Sequence, residues 1–375
     1  MFTMVLTQGP VSRVEIARRT GLSSAAVTKA ARPFIEAGYL RELEATERAG
    51  PGAGRPASPL AILPGREYFA GVKITEDELI GVITDLRAEV VTSVHRPLTA
   101  SSPDGVVAAL AELVKELLGR DPVYRERCHH LGLAVSGDVD KDGGVVRYSP
   151  FLGWRQVRLA ELAGRATGLT VTVENDVKSL TVAEQWFGDG VGASSFALVT
   201  VGVGIGCGLV VADRVVAGSH GVAGEIGLIP VGGSEPPCHC GGRGCVEAIA
   251  CTAPIVAAAR EATGGAVTTI DSVIAAAHAG EPAVRQVLET AGNAIGLAMA
   301  AMANLVGPEL IVVTGDVHGL TAYDRFEEQL RRSFSGQAFG AAADCRLLLR
   351  PRPFEQWARG AAAVAIQTLF TLQER

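Results

Sequence analysis

Along "GVKITEDELIGVITD" (71–85), apolar Val72 and Ile74 alternate with polar neighbours, and Leu79, Ile80, Val82 and Ile83 resume the run after an acidic turn. That pattern predicts a strand, a tight turn and a second strand. From residue 66 onward such runs alternate with helical periodicity. Strands are expected at 129–137, 168–176, 194–216 (a pair joined through glycines) and 309–316. Helices are expected at 104–119, 157–167, 177–187, 252–263, 283–304 and 355–373. Strand and helix in alternation make an α/β body.

The first sixty residues carry a different pattern. In "GPVSRVEIARRTGLSSAAVTKAARPFIEAGYLREL", Ser12 and Glu15 form an S-x-x-E capping box, so a helix is expected from Arg13, with Val14, Ile16 and Ala17 on its apolar side. Gly21 is its C-terminal stop. Ser23 or Ser24 then caps a second helix whose buried side is Val27, Ala30, Ala31 and Phe34, with Pro33 expected to kink or interrupt it. Two short helices around a glycine turn make a helix-turn-helix. "YLREL" and "GAGRPASPLAIL" read as the legs of a hairpin, which completes a winged helix-turn-helix.

The other face of the second helix holds Ser24, Ala25, Thr28, Lys29 and Arg32, short or cationic side chains that suit base edges and phosphates. Arg55 in "GRP" would enter a narrow minor groove. A DNA operator is therefore the expected partner; the plainer alternative is a helical hairpin packed on the body. Charge follows the same division. Residues 1–56 hold eight Lys/Arg against five Asp/Glu, a balance of +3 within a chain whose net charge is −6. A basic head on an acidic body fits a polyanion at the head alone.

Apolar residues make up 48% of the 375, enough for a large core, and the longest apolar runs are shorter than a membrane span. No basic segment and apolar stretch of a signal peptide opens the chain, so a cytoplasmic protein without membrane contact is expected. Of seven cysteines, Cys238, Cys240 and Cys245 lie within eight residues, a spacing that favours metal over disulfides.

Candidate chemistry gathers at strand ends. "VENDVKSLTVAEQWFG" puts Asn175 and Asp176 where a strand hands over to a helix, the place at which open α/β sheets bind ligands, although either residue could simply cap the helix. Further on, "GSHGVAGEIGLIPVGGSEPPCHCGGRGCVEAIA" sets Glu225 and Glu247 around the cysteines. On "END" (174–176), "AGEIG" (223–227) and "CHCGGRGCVE" (238–247), together with the helix-turn-helix, the chain resembles the ROK family of repressors, open reading frames and sugar kinases. The resemblance implies an actin-like ATPase fold, a duplicated ribonuclease H-like body behind a winged helix-turn-helix. The expected domains are 1–60 for the head, 66–188 with 355–375 for one lobe, and 189–354 for the other.

The resemblance also implies that Asn175, Asp176, Glu225 and Glu247 bind sugar hydroxyls, with Gly137 beside them, and that Asp176 corresponds to the base of the kinases. It implies a zinc held by Cys238, Cys240 and Cys245 with a histidine directly after "GEIG"; that position is Leu228, which leaves His239, His220 or a water for the fourth place. On the phosphate side the chain departs from the pattern. Residues 73–77 read Lys-Ile-Thr-Glu-Asp where the kinases carry Asp-x-Gly-Gly-Thr. "GVGIG" (202–206) has Val203 in place of a threonine and is followed by Cys207, and "TGD" (314–316) replaces a glycine run.

ATP is therefore not expected as a cofactor, and the chain is expected not to be an enzyme. The expectation is a sugar-responsive DNA-binding regulator, a repressor working as a homodimer or homotetramer, in which ligand binding alters the spacing of two reading helices. Two alternatives stand beside it: an active sugar kinase with a DNA-binding head, and a regulator controlled by a protein partner.

Overall fold

The computed structural model describes residues 1–43, 58–233, 235–315, 320 and 323–371. Contacts divide the chain into two compact units, Met1–Gly192 with Phe354–Arg375, and Ala193–Pro353.

The first unit opens with a helix that the sequence patterns did not indicate, α1 (Phe2–Gln8), which buries Phe2, Val5 and Leu6. β1 (Val11–Ser12) leads into α2 (Arg13–Thr20), then α3 (Ser24–Glu36), β2 (Leu40–Glu42) and β3 (Pro59–Ile62). The Ser12 side chain accepts the Glu15 N–H at 3.2 Å. The Glu15 carboxylate instead takes Arg18 and Arg19, whose hydrogen bonds hold it down to about 2, so only half of the expected capping box forms. Gly21 ends α2 in the left-handed conformation, φ 71°, and Ser23 is the residue that caps α3.

α3 runs through Pro33 as one helix, so of the expected kink or interruption the interruption does not occur. Proline in the last turn removes only the N–H that would have met the Lys29 carbonyl, and the helix ends within a turn. Val27 and Ala31 are buried as expected, but Ala30 is exposed and Phe34 only half-buried. The stripe is narrower than a core helix presents because α3 is short and covered on one side. β3 pairs antiparallel with both β2 and β1 in a three-stranded sheet. Arg55 lies outside the described residues.

The body sheet of this unit uses β4 (Tyr68–Ile74), β5 (Glu78–Asp85), β6 (Val90–Pro97), β7 (Cys128–Val135) and β11 (Thr170–Asn175) in the order β11-β7-β4-β5-β6. A small antiparallel sheet joins β8 (Asp138–Asp140), β9 (Val145–Ser149) and β10 (Trp154–Val157). Helices α4 (Pro103–Gly119), α5 (Pro122–Arg127), α6 (Leu159–Thr167) and α7 (Asp176–Phe187) fill the connections. Trp154 is 3% exposed, and its indole N–H donates to the Ser101 carbonyl at 2.6 Å, which makes it a core residue.

The C-terminal helix, Glu355–Thr371, completes the unit by packing against β4, β7 and α7. Contact is backbone to backbone: a Cβ on Gly71 would lie 2.1 Å from the Ala358 carbonyl oxygen, and one on Gly132 1.8 Å from that of Ala361. At its far end Phe370 meets Phe2 (ring centroids 4.7 Å apart), Phe2 stacks on Phe34 of α3 at 4.5 Å, and Tyr39 stands edge-on to Phe2 and Phe370.

In the second unit, β12 (Phe196–Val201), β13 (Ile205–Val211), β14 (Arg214–Val215), β15 (Leu310–Gly315) and β16 (Arg346–Leu349) run in the order β14-β13-β12-β15-β16. Ranked by appearance within its own sheet, each five-stranded sheet reads 3-2-1-4-5, the repeat expected of a duplicated body. Five helices accompany the second sheet among the described residues: α8 (Val246–Ala250), α9 (Thr252–Ala262), α10 (Ile270–Ala279), α11 (Pro282–Val306) and α12 (Asp324–Gln337). The small residues of α11 admit α12 closely, with a Cβ on Gly296 falling 2.4 Å from the Leu330 carbonyl oxygen. Among the described residues no helix is long and apolar enough to cross a membrane.

Candidate functional site

In the first unit, parallel β7 and β11 end side by side and α7 starts at the edge they form. Asn175 is the N-cap: its Oδ1 accepts the Lys178 N–H at 3.1 Å, and its Nδ2 donates to the Gly137 carbonyl at 3.0 Å. Gly137 has φ 123°, and a Cβ there would lie 2.2 Å from the Tyr148 carbonyl oxygen, so no other residue fits.

Asp176 is buried. Its Oδ1 accepts the Val177 N–H at 2.9 Å; its Oδ2 accepts the Ser136 hydroxyl at 2.6 Å and the Lys73 ammonium at 2.5 Å. Lys73, at the end of β4, also donates to Ser136 Oγ at 2.9 Å and lies 5.6 Å from the Trp357 ring centroid. Burial pushes the Asp176 carboxyl up, but the charge and hydrogen bond of Lys73 outweigh it and hold the group below the ordinary carboxylate range. No pattern in the sequence pairs these residues, which stand 103 positions apart.

The hairpin turn beyond Lys73 closes on itself. The Thr75 N–H donates to the Glu78 carbonyl at 3.0 Å, and the Glu78 N–H donates to Thr75 Oγ1 at 3.0 Å. Glu76 and Asp77 are exposed, and Asp77 Oδ1 accepts the Thr75 hydroxyl at 2.9 Å.

In the second unit, Gly224 (φ 99°) brings the "AGEIG" loop against β13, where a Cβ would lie 1.9 Å from the Cys207 carbonyl oxygen. Glu225, exposed, follows it, and Leu228 is half-buried. Glu247, in the first turn of α8, accepts from His239 Nε2 at 3.2 Å. Its other carboxylate oxygen would be 3.0 Å from a Cβ on Gly227, so Glu247 stands close over the backbone of the "AGEIG" loop. Beside it, exposed Val203 borders an open cavity of about 800 Å³ lined by Thr252, Val256, Arg260 and Ile270.

The sulfurs of Cys238, Cys240 and Cys245 lie within 4.8 Å of one another. Among the described residues this group contains neither His239 nor His220: His239 is engaged with Glu247, and His220 is exposed on its own loop. Left-handed Gly241 and Gly244 fold the knuckle. The Gly242 N–H donates to Cys240 Sγ and draws its thiol below the usual range, while burial pushes Cys245 up to about 12. Three soft ligands converging on one point fit a thiophilic divalent ion such as zinc.

On the head, α3 exposes all five residues picked out for reading DNA, Ser24, Ala25, Thr28, Lys29 and Arg32. Thr28 turns its hydroxyl back to the Ser24 carbonyl, and Arg32 pairs with Glu36 at 2.7 Å, which leaves its guanidinium at the surface.

The family described as "ROK family" matches residues 69–368. The N-acetylglucosamine repressor of Escherichia coli O6:H1 is 29% identical over 329 residues, covering 84% of this chain and 79% of the relative. Among solved structures, a ROK family transcriptional regulator described as a homologue of the E. coli MLC protein superposes with a TM-score of 0.81 at 26% identity, covering 98% of this chain and 95% of the other. A ROK hexokinase from Thermus thermophilus superposes with a TM-score of 0.71 at 25% identity, covering 81% of this chain and 99% of its own.

Proposed function

The chain belongs to the ROK family, and on that premise we propose that it is a sugar-responsive, DNA-binding transcriptional repressor that holds its effector without phosphorylating it. The observation that carries the reading is an asymmetry. Acceptors suited to sugar hydroxyls remain at Asn175, Glu225 and Glu247, while the hairpin turn at Thr75–Glu78 commits its two flanking N–H groups, those of Thr75 and Glu78, to its own atoms and carries bulky acidic side chains between them. A phosphate loop offers such N–H groups to oxyanions. Here Glu76 and Asp77 add negative charge where phosphates would have to approach.

The head supplies the other half. Short and cationic side chains along the exposed face of α3, behind a capped helix and a left-handed glycine turn, suit the major groove. A homodimer would present two such helices to half-sites about 34 Å apart or a multiple of that. Arg55 belongs to this proposal as a minor-groove contact. The effector acts by differential affinity for the DNA-competent and DNA-released states, and it shifts their balance no further than that difference allows. Cys238, Cys240 and Cys245 would hold a zinc, which when bound fixes the knuckle that carries His239 and Glu247; the fourth place falls to a small ligand, to His239 or to His220.

The test is a thermal-shift screen of the full chain against N-acetylglucosamine, glucose, xylose and their phosphates, followed by a gel-shift on upstream DNA with any sugar that responds. A rise in melting temperature together with release of DNA is the expected result. The likeness to a hexokinase favours a second reading, an active kinase, which predicts sugar-dependent ADP formation. ADP production would refute the proposal. A chain that binds its operator yet responds to no sugar would point instead to control by a protein partner.

A further inference from the structure

We propose that Lys73 withdraws Asp176 from both hydroxyl recognition and proton transfer, leaving it a structural anion inside the first unit while the sugar is held by other acceptors. An ionised carboxylate offers roughly four acceptor positions. Asp176 fills three: Oδ1 with the Val177 N–H, and Oδ2 with both the Lys73 ammonium and the Ser136 hydroxyl. Access is small as well, with Asp176 8% and Lys73 5% exposed. A sugar hydroxyl would have to displace one of these donors and enter a closed pocket.

Proton chemistry is opposed for a separate reason. A general base gains a positive charge when it takes a proton, and an ammonium in contact with Oδ2 repels that charge. Ser136 locks the arrangement, since it accepts from Lys73 and donates to Asp176. Trp357 covers the lysine, so the ammonium is restrained from the C-terminal helix too. One residue in β4 thus does two things: it fills the hairpin end where a phosphate-binding turn would start, and it neutralises the carboxylate that could have activated the acceptor.

The test uses the full chain and three variants, Asp176→Asn, Lys73→Met and the double variant that carries both. Without ligand, each single variant should melt below wild type, because it strands one buried partner, and the double should recover most of the loss. The second arm rests on the sugar-binding reading above. The responding sugar of the panel is titrated by calorimetry, and the double variant should bind it within about threefold of wild type. A loss of about tenfold or more in a folded double variant, the effect of deleting a charged hydrogen bond to ligand, would overturn the proposal. If wild type binds no sugar, the sugar-binding reading fails and the stability cycle alone decides, with additive losses overturning the pairing.

Discussion

Replacing Gly132 by alanine tests how the first unit is assembled. The added Cβ would lie 1.8 Å from the Ala361 carbonyl oxygen and 2.4 Å from its carbon, whereas ordinary contact begins at 3.4 Å. Strand and helix must therefore separate by about 1.6 Å, the difference between those two distances. The strand cannot retreat, because β7 is hydrogen-bonded on both sides, to β4 and to β11. The helix cannot slide, because Gly71 and Gly360 fix its backbone at two further close contacts. Overpacking of this kind costs about 1–3 kcal/mol and occasionally more. For a unit of this size, that is a fall of roughly 2–12 °C in Tm. The assay is a thermal melt supported by urea titration. Gly164→Ala serves as the control: it lies inside α6, its Cβ meets nothing closer than 3.5 Å, and it should stabilise by about 0.5–1 kcal/mol. An unchanged midpoint for Gly132→Ala would refute the claim that helix and sheet meet at bare backbone.

Lys29→Ala should weaken operator binding and reduce the slope of log K against log salt by about 0.9, read by anisotropy over a salt series; an unchanged slope would remove Lys29 from the interface. Phe370→Ala removes ring contacts to Phe2 and Tyr39 and should destabilise the head by about 1–3 kcal/mol, seen as faster amide exchange in α1 and α3. Because the folded-state pKa of Asp176 is lowered, its contribution to stability is present above the ordinary carboxylate pKa and is lost as pH falls through the lowered value. The variant carrying both Lys73→Met and Asp176→Asn should therefore show a shallower acid limb than wild type in Tm against pH. Metal analysis should find about one zinc per chain in wild type and a marked loss in Cys240→Ser.

Much of this architecture was legible because it is written in local chemistry. Ser12, Gly21 and Ser23 punctuate the head at their own positions, and the apolar runs of 71–85 mark the β4–β5 hairpin, although β4 starts three residues earlier, at Tyr68. The elements that escaped lacked such marks. α1 is a single run of seven residues without a side-chain cap, and it gains its buried face from elements further along the chain, β3, α7, Phe34 and Phe370 among them. β6 alternates weakly because it is an edge strand with much of its length exposed. The candidate site divides in the same way. Asn175, Asp176, Glu225 and Glu247 were recognisable from short motifs, but what Asp176 touches was not. A lysine in β4 and an aspartate opening α7 become partners only once parallel pairing sets β7 between β4 and β11. The His239–Glu247 contact is nearer in sequence, yet it depends on left-handed glycines in a knuckle with no periodicity to read.

The helix that closes the first sheet is made long after the strands it covers. Between the strands it must cover and the helix itself come the 161 residues from Ala193 to Pro353. At roughly 5–20 residues per second, translation leaves the glycine-lined face bare for about 8–32 seconds. During that interval the emerging polypeptide depends on chaperones or on its own solubility, while the intervening unit has time to fold first. A premature stop close to residue 355 would then be as harmful as a much earlier one, since it removes the helix that covers β4 and β7.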